Sequence, residues 1–490
     1  MSSSALTSEA SLLEESSNVW RLSEAEKVAF LIDAEPYFRN LKIALSRAQR
    51  SIWILGWDFS GDIRLRPLDE DSPLLGDYLR QLVEANADLD IRIHVWGMGP
   101  AYSQKRVGLY VGPKWADHPR ITLCFDTSHP LRAAHHQKIV LIDDSLAFVG
   151  GIDLTEGRWD TREHLVEQPA RTKPDGAPYP PVHDVHMAFC GPAVTHIAEL
   201  VRRRWHKAND TWIPIAEERV DCWPGGLKTD LEHCRLGISR TEPRTLFRKG
   251  AEEAIKLTLD GIEKARERLY IETQYLSSYE VGKALAKRLR EAEGPEMVIV
   301  VTKSSRGIFE QYVMAHNRNR VIRQLRAADK HGRLRMMYAM LPTEEGGEHE
   351  LLIHSKVMVI DDRLLRIGSS NLANRSEGMD TECDVVIEAR SAHERDVVKR
   401  FRDTLLAEHL DCTAEEVAMA HEQAGSLIAA VDRLNVNARC LRSYEVRPGP
   451  REVGSLPGTA ILDARKPYWP LQRWRKRWKQ AAGRLFGWMA

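Results

Sequence analysis

The chain has 490 residues, with 70 Lys and Arg against 70 Asp and Glu, so its formal charge is zero. At 43% hydrophobic and 29% charged residues it has the make-up of a globular protein, which excludes a mostly disordered or collagen-like chain. A zero balance also argues against a chain-wide polyanion binder, while leaving local patches open.

Residues 1–18 carry Glu9, Glu14 and Glu15 without a Lys or Arg and read as a flexible acidic tail. They lack the basic start and apolar stretch of a secretory signal, so export by that route is not expected. Helical spacing of Leu41, Ile43, Ala44 and Ala48 predicts a helix within 35–50. A buried strand is predicted at 51–57 (SIWILGW), a helix at 74–86 and a strand at 91–97. HHQKIVLIDD (135–144) then ends in the turn pair Asp143 and Asp144, and SLAFVGGIDL follows.

The same order returns later. A helix is predicted at 251–267, then a strand at 268–276, a helix at 283–292 and a strand at 297–303. HSKVMVIDD (354–362) and RLLRIGSSNL complete the series. Alternating strands and helices predict an α/β fold. His136 and His354 lie 218 residues apart, far beyond a solenoid period, so the repeat is a duplicated half. The predicted organisation is a tail at 1–25, halves at 26–225 and 226–435, and an extension at 436–490, with the boundary near DCWPGGLKTD (221–230). Seven scattered cysteines without CxxC spacing predict reduced thiols, a cytoplasmic setting and no zinc ribbon. No apolar run reaches the ~18–20 residues of a membrane span.

Chemistry concentrates in a repeated His-x-Lys-x4-Asp element. His136, Lys138 and Asp143 precede a Gly150-Gly151 pair and Asp153; His354, Lys356 and Asp361 precede Gly368, Ser369 and Asn371. On a strand, residues two apart share a face, so each His should point with its Lys. Asp143 and Asp361 have the opposite parity; they are expected to satisfy donors at the strand end rather than line the pocket. The glycines permit a tight turn, past which Asp153 and Asn371 can re-enter the site. Two imidazoles and two ammonium groups suit phosphodiester cleavage. One neutral imidazole attacks phosphorus, and the other, protonated, serves the leaving oxygen. The lysines neutralise the non-bridging oxygens.

On these residues the chain resembles the phospholipase D superfamily, from about residue 35 to 435. HHQKIVLIDDSLAFVGGIDLTEGRWD (135–160) is similar to the GG-x-D-L and GRWD form of true phospholipases D. VHDVHMAFCGPAV (182–194) and LYIETQYL (269–276) resemble further lipase segments, whereas DTECDVVIE (380–388) looks more like bacterial members. The resemblance implies a pseudo-twofold α/β fold with one shared central site. It makes the whole motif, His136, Lys138, Asp143, His354, Lys356 and Asp361, the catalytic set. It assigns His136 as nucleophile and His354 as general acid and base, with no metal or cofactor. It also implies a carboxylate downstream of each motif orienting that motif's histidine: Asp184 for His136 and Glu382 for His354. Gly151 and Asp153 depart from the Ser and Asn of the general motif, and an anionic Asp153 needs a partner such as Lys138 or a backbone amide. The implied reaction is hydrolysis of a glycerophospholipid to phosphatidate and a head-group alcohol. Phosphatidyl transfer of the cardiolipin synthase type and nuclease activity are the alternatives.

Four further features stand out. Gln274 is expected near the phosphate or as a buried structural amide. His183 and His186 are expected to be mainly structural, with a place near the head-group entrance as the alternative for His183. Trp159 and loop 157–181 are expected either at the rim of the substrate opening or as a plain surface loop. After Asp463 come eight basic residues and no acid, interleaved with Tyr468, Trp469, Trp474, Trp478, Phe486 and Trp488, leaving residues 1–463 at −8. Leu471, Trp474, Trp478 and Leu485 fall on one helical stripe, the pattern of a helix lying in an anionic membrane surface. The expected partners are a phospholipid substrate and the inner face of a membrane, with no nucleic acid and a monomeric chain.

Overall fold

A computed structural model describes residues 10–97, 112–130, 132–245, 248–304, 308–446 and 463–465. The basic, Trp-rich segment expected to meet a membrane lies almost wholly outside the described residues. No helix among the described residues is long and apolar enough to cross a membrane.

The first half contributes β1 (Arg21–Ile32), β2 (Ser51–Gly56), β3 (Asp90–Trp96), β4 (Ile121–Asp126), β5 (Ile139–Ile142), β6 (Leu146–Gly150), β7 (Val182–His183) and β8 (Val185–Cys190). The second contributes β9 (Leu231–Glu242), β10 (Ala251–Glu252), β11 (Arg268–Thr273), β12 (Glu296–Val301), β13 (Leu334–Pro342), β14 (Glu348–Glu350), β15 (Leu352–Ile353), β16 (Lys356–Ile360), β17 (Leu364–Gly368), β18 (Glu382–Glu388) and β19 (Cys440–Ser443). Outward from the centre, the first half pairs β1, β8, β6, β5, β2, β3 and β4. The second pairs β9, β18, β17, β16, β11, β12 and β13 in the matching order. Antiparallel pairing of β1 with β9 joins them into one continuous sheet. The molecule is thus an α/β fold with a pseudo-twofold relation between its halves.

Period-2 alternation explains its layers. Ile139 and Leu141 of β5, with Val357 and Val359 of β16, face one core shared by both halves. Their neighbours Val140 and Ile142 face a core of the first half, and Met358 and Ile360 one of the second. Both faces are buried, so these strands read as unbroken apolar runs.

Two boundaries differ from expectation. Residues 10–25 are part of the folded body. Leu12 and Leu13 are buried in the second half's core, and Glu388 accepts hydrogen bonds from the Ser11 hydroxyl (2.6 Å) and the Leu12 amide (2.8 Å). At the other end, β19 pairs with β13, so residues 440–443 finish the sheet edge instead of starting an extension.

Candidate active site

Each motif histidine stands just ahead of its strand, held by a strand segment from the other half. The His136 amide donates to the Thr381 carbonyl (3.0 Å), and the His354 amide to the His183 carbonyl (2.8 Å). Parallel pairing of β7 with β15 continues the second contact. These crossings bring both motifs to the seam between the halves.

The carboxylates cross the seam as well. His136 Nδ1 lies 2.9 Å from Glu382 Oε2, and His354 Nδ1 lies 2.6 Å from Asp184 Oδ2. The expected pairing within each half is therefore wrong: Glu382 serves His136, and Asp184 serves His354. The cause is the seam pairing itself, which sets each half's acid beside the other half's histidine. The role stands, since a carboxylate on Nδ1 fixes the tautomer that frees Nε2.

Asp143 and Asp361 are in the motif but not in the site. Asp143 accepts from the amides of Gln49, Arg50 and Ser51 at 2.6–2.8 Å, and Asp361 from those of Arg266, Glu267 and Arg268 at 2.7–2.8 Å. Both adopt positive φ, 48° and 51°, in the turn after their strand. Their place in the catalytic set is corrected; they lock the start of β2 and of β11.

The lysines are buried and differently partnered. Lys138 Nζ sits 3.2 Å from Asp153 Oδ2 and donates to the His136 carbonyl at 2.8 Å. Asp153 Oδ1 accepts from the Trp57 amide at 2.9 Å, so this acid has the partners its charge requires. Lys356 Nζ donates to the His354 carbonyl and lies 3.0 Å from His354 Nδ1. Asn371 holds the position equivalent to Asp153, and its buried Oδ1 has no hydrogen-bond partner.

The turn residues explain the second asymmetry. Ser369 Oγ donates to Glu382 Oε2 (2.6 Å), and Ser376 Oγ donates to Oε1 (2.7 Å). At Gly151 a Cβ would come within 2.1 Å of Asp184 Oδ1. Glycine thus lets the shorter aspartate pack directly against the turn, where serine bonds the longer glutamate.

Burial pushes Glu382 up to about 7 and Asp184 up to about 6. Burial, then Lys138 and Lys356, holds His136 well below the ordinary imidazole value. His354 is lowered likewise by burial, then by Lys356 and Arg158. Burial, with Lys138 and Arg158 adding to it, lowers Lys356 to about 8. The resting pocket therefore offers neutral imidazoles among cations, a setting that a bound phosphate anion would complete.

The remaining expected residues have partners of their own. Gln274 is half-buried and donates to the Tyr275 hydroxyl (3.1 Å). His186 is buried, stacked on Tyr37 with centroids 4.1 Å apart, and is structural as expected. His183 is fully buried beside Asp33, Glu272 and Glu408, not at an entrance, because β7 carries it into the seam. Trp159 is core rather than rim. Its loop folds around buried Arg171, which donates to Asp160 (2.9 Å) and to the carbonyls of Leu165, Val166 and Tyr179. Sequence reasoning missed Arg158 and Ser376. The quoted GRWD string contained the first, but nothing marked it as the cation acting on His354 and Lys356.

A family model described as Phospholipase D matches residues 116–223, and one described as Cardiolipin synthase, PLD-like domain matches 258–405, one motif in each. The chain belongs to the phospholipase D superfamily. Among its relatives, Phospholipase D1 of Saccharomyces cerevisiae is 23% identical over 80% of this chain and 29% of its own length. Phospholipase D A of Dictyostelium discoideum is 26% identical over 71% of this chain and 32% of its own. This superfamily member thus spans about a third or less of those curated relatives. The solved phosphatidylserine synthase of Haemophilus influenzae shares the fold, with a TM-score of 0.52 and 14% identity over 78% of this chain and 86% of that one.

Proposed function

We propose that the protein is a phospholipase D that hydrolyses the distal phosphodiester of a glycerophospholipid to phosphatidate and a head-group alcohol. The crossed pairs His136–Glu382 and His354–Asp184, set among two buried lysines, carry this reading. In the first step His136 Nε2 attacks phosphorus and the P–O bond to the head group breaks. His354, protonated once the anionic substrate is bound, gives its proton to the leaving oxygen. In the second step His354 takes a proton from water, whose oxygen displaces His136. Lys138 and Lys356 neutralise the non-bridging oxygens throughout. An alcohol in place of water gives phosphatidyl transfer. The match of residues 258–405 to a cardiolipin synthase-type domain favours that as the second reading.

The test is head-group release from phosphatidylcholine, phosphatidylethanolamine and phosphatidylglycerol vesicles, with products identified by mass spectrometry. Release is expected from at least one lipid, and lost by about 10³-fold or more in His136→Ala and His354→Ala. Folded protein inert on all three, or DNA cleavage instead, sinks the reading. A phosphatidyl-alcohol as the main product from phosphatidylglycerol selects transfer. Segment 465–488 is proposed to hold the enzyme on anionic bilayers; flotation with phosphatidylglycerol vesicles should fail after its removal.

A further inference from the structure

Behind His354, on the far side of the β7–β15 pairing, lies a group of buried side chains that the phosphodiester chemistry does not use. Asp33 ends the run from β1, His164 sits in the loop after Trp159, and His183 forms part of β7. Glu408 comes from the second half, on the helix Ala392–Leu410. All four are buried, and their ligand-type atoms lie within 4.8 Å of one another. His164 Nε2 is 3.5 Å from Asp33 Oδ2 and 3.1 Å from Glu408 Oε1. His183 Nδ1 is 2.9 Å from Asp33 Oδ1 and 2.8 Å from Glu408 Oε1. Four ligands about 2.0–2.1 Å from a tetrahedral ion stand about 3.3 Å apart, so these spacings suit a common centre.

We propose that Asp33, His164, His183 and Glu408 bind one divalent transition-metal ion, with zinc the best fit, as a structural clamp between the halves. Two imidazoles and two carboxylates are a donor set of that class.

Three observations support an ion over a plain hydrogen-bond cluster. First, Asp33 Oδ2 and His183 Nδ1, both fully buried, lack any hydrogen-bond partner despite their near neighbours. Contact without alignment is what ligands aimed at a shared centre show. Second, each histidine is braced at its other nitrogen. His164 Nδ1 lies 2.9 Å from Asp160 Oδ2, and His183 Nε2 lies 3.0 Å from Glu272 Oε2. Metal-bound histidines typically carry such carboxylate braces, which fix the ring and the free nitrogen. Glu408 Oε2 is likewise held by Arg162 at 2.9 Å, leaving Oε1 to the imidazoles. Third, of four buried carboxylates here (Asp33, Asp160, Glu272, Glu408), Asp160 faces Arg171 and Glu408 faces Arg162 and, at 3.8 Å, Arg439. Negative charge exceeds guanidinium charge here, and a cation would offset it.

The neighbouring set His183, Glu272 and His409 fits less well. Both oxygens of Glu272 are already engaged, Oε1 by the Tyr270 hydroxyl (2.5 Å) and Oε2 by the Ser355 hydroxyl (2.7 Å). The proposed ion would lie apart from the phosphate pocket and touch neither motif histidine. Its effect on the site is positional. Asp33 donates its amide to the Asp184 carbonyl at 2.8 Å, and Asp184 orients His354. The inference stands whether or not the substrate is a phospholipid.

The test is metal analysis of the full chain. Protein stripped with a chelator is reloaded with Zn²⁺ or Co²⁺ and measured by plasma mass spectrometry and visible absorption. About one equivalent should be retained, and reloading should raise the melting temperature. The Co²⁺ form should show ligand-field bands of a four- or five-coordinate ion without the near-ultraviolet thiolate band, which separates this site from the cysteines. His164→Gln and Glu408→Gln should each weaken binding by about 100-fold or more. If either variant fails to fold, X-ray absorption of the cobalt-loaded wild type decides, with imidazole scattering expected. Folded wild type that retains neither ion, a cobalt spectrum dominated by thiolate, or folded variants with unaltered spectra would overturn the proposal. In those cases protons on the imidazoles hold the cluster together.

Discussion

In the first half, buried Lys138 has a carboxylate 3.2 Å away; in the second, Lys356 has an amide, Asn371, at the equivalent position. The first half orients a histidine with an aspartate packed on glycine, the second with a glutamate bonded by Ser369 and Ser376. One backbone plan therefore carries two electrostatic environments. Lys138 is balanced in the resting protein, whereas Lys356 is lowered to about 8 by burial and by neighbouring cations. The second half is the one whose cation stands to gain more from an incoming phosphate.

Crossed acids give the largest effect. Glu382→Gln should slow formation of the phosphohistidine at His136 by about 10²-fold. Asp184→Asn should instead impair proton delivery by His354. Single-turnover trapping separates these. If Asp184→Asn alone blocks attack while Glu382→Gln leaves it intact, the crossing is wrong. Next comes Asp153→Asn, which removes the partner of a fully buried Lys138. It should cost about 3 kcal/mol of stability in denaturant titration. A loss no larger than that of an exposed pair would show that Lys138 has another counter-charge.

The pH profile should be a narrow bell between about 7 and about 8. Glu382 holds His136 best as a carboxylate, so activity falls as pH drops below about 7 and the group takes up a proton. Lys356 acts as a cation, so activity falls as pH rises above about 8 and its proton leaves. Glu382→Gln should move the acid limb in kcat/KM down to about 6, where Asp184 takes up its proton, and leave the basic limb; an acid limb unmoved near 7 would assign it to another group. Ser369→Ala gives the smallest change. It removes one of two hydroxyl donors to Glu382, about 1 kcal/mol, read as a severalfold drop in kcat.

Much of this was legible locally. Motif spacing located both histidines and both lysines, and strand parity turned Asp143 and Asp361 away from the pocket. Crossing was not legible, because His136 and Glu382 are 246 residues apart and His354 and Asp184 are 170 apart. A twofold repeat fits pairing within or between halves equally well on sequence alone. The partners of His183 were not legible for the same reason, since Glu408 sits on a helix of the other half. Trp159 belongs to a loop rich in Pro and charge, which reads as surface until Arg171 is seen folding it inward. Leu12 and Leu13 are two apolar residues in an acidic stretch, too few to signal burial, yet they dock against the second half.

The exchange of acids across the seam has a consequence for how such a chain can be divided. Neither half owns a complete histidine–carboxylate pair, so a fragment cut near residue 226 would be chemically mute alone. Mixed fragments would recover turnover in proportion to the product of their concentrations. In the intact protein, the connecting segment replaces that bimolecular search with a fixed effective concentration. A lone unit of this design works only as one member of a symmetric couple, and the single chain is that couple made permanent.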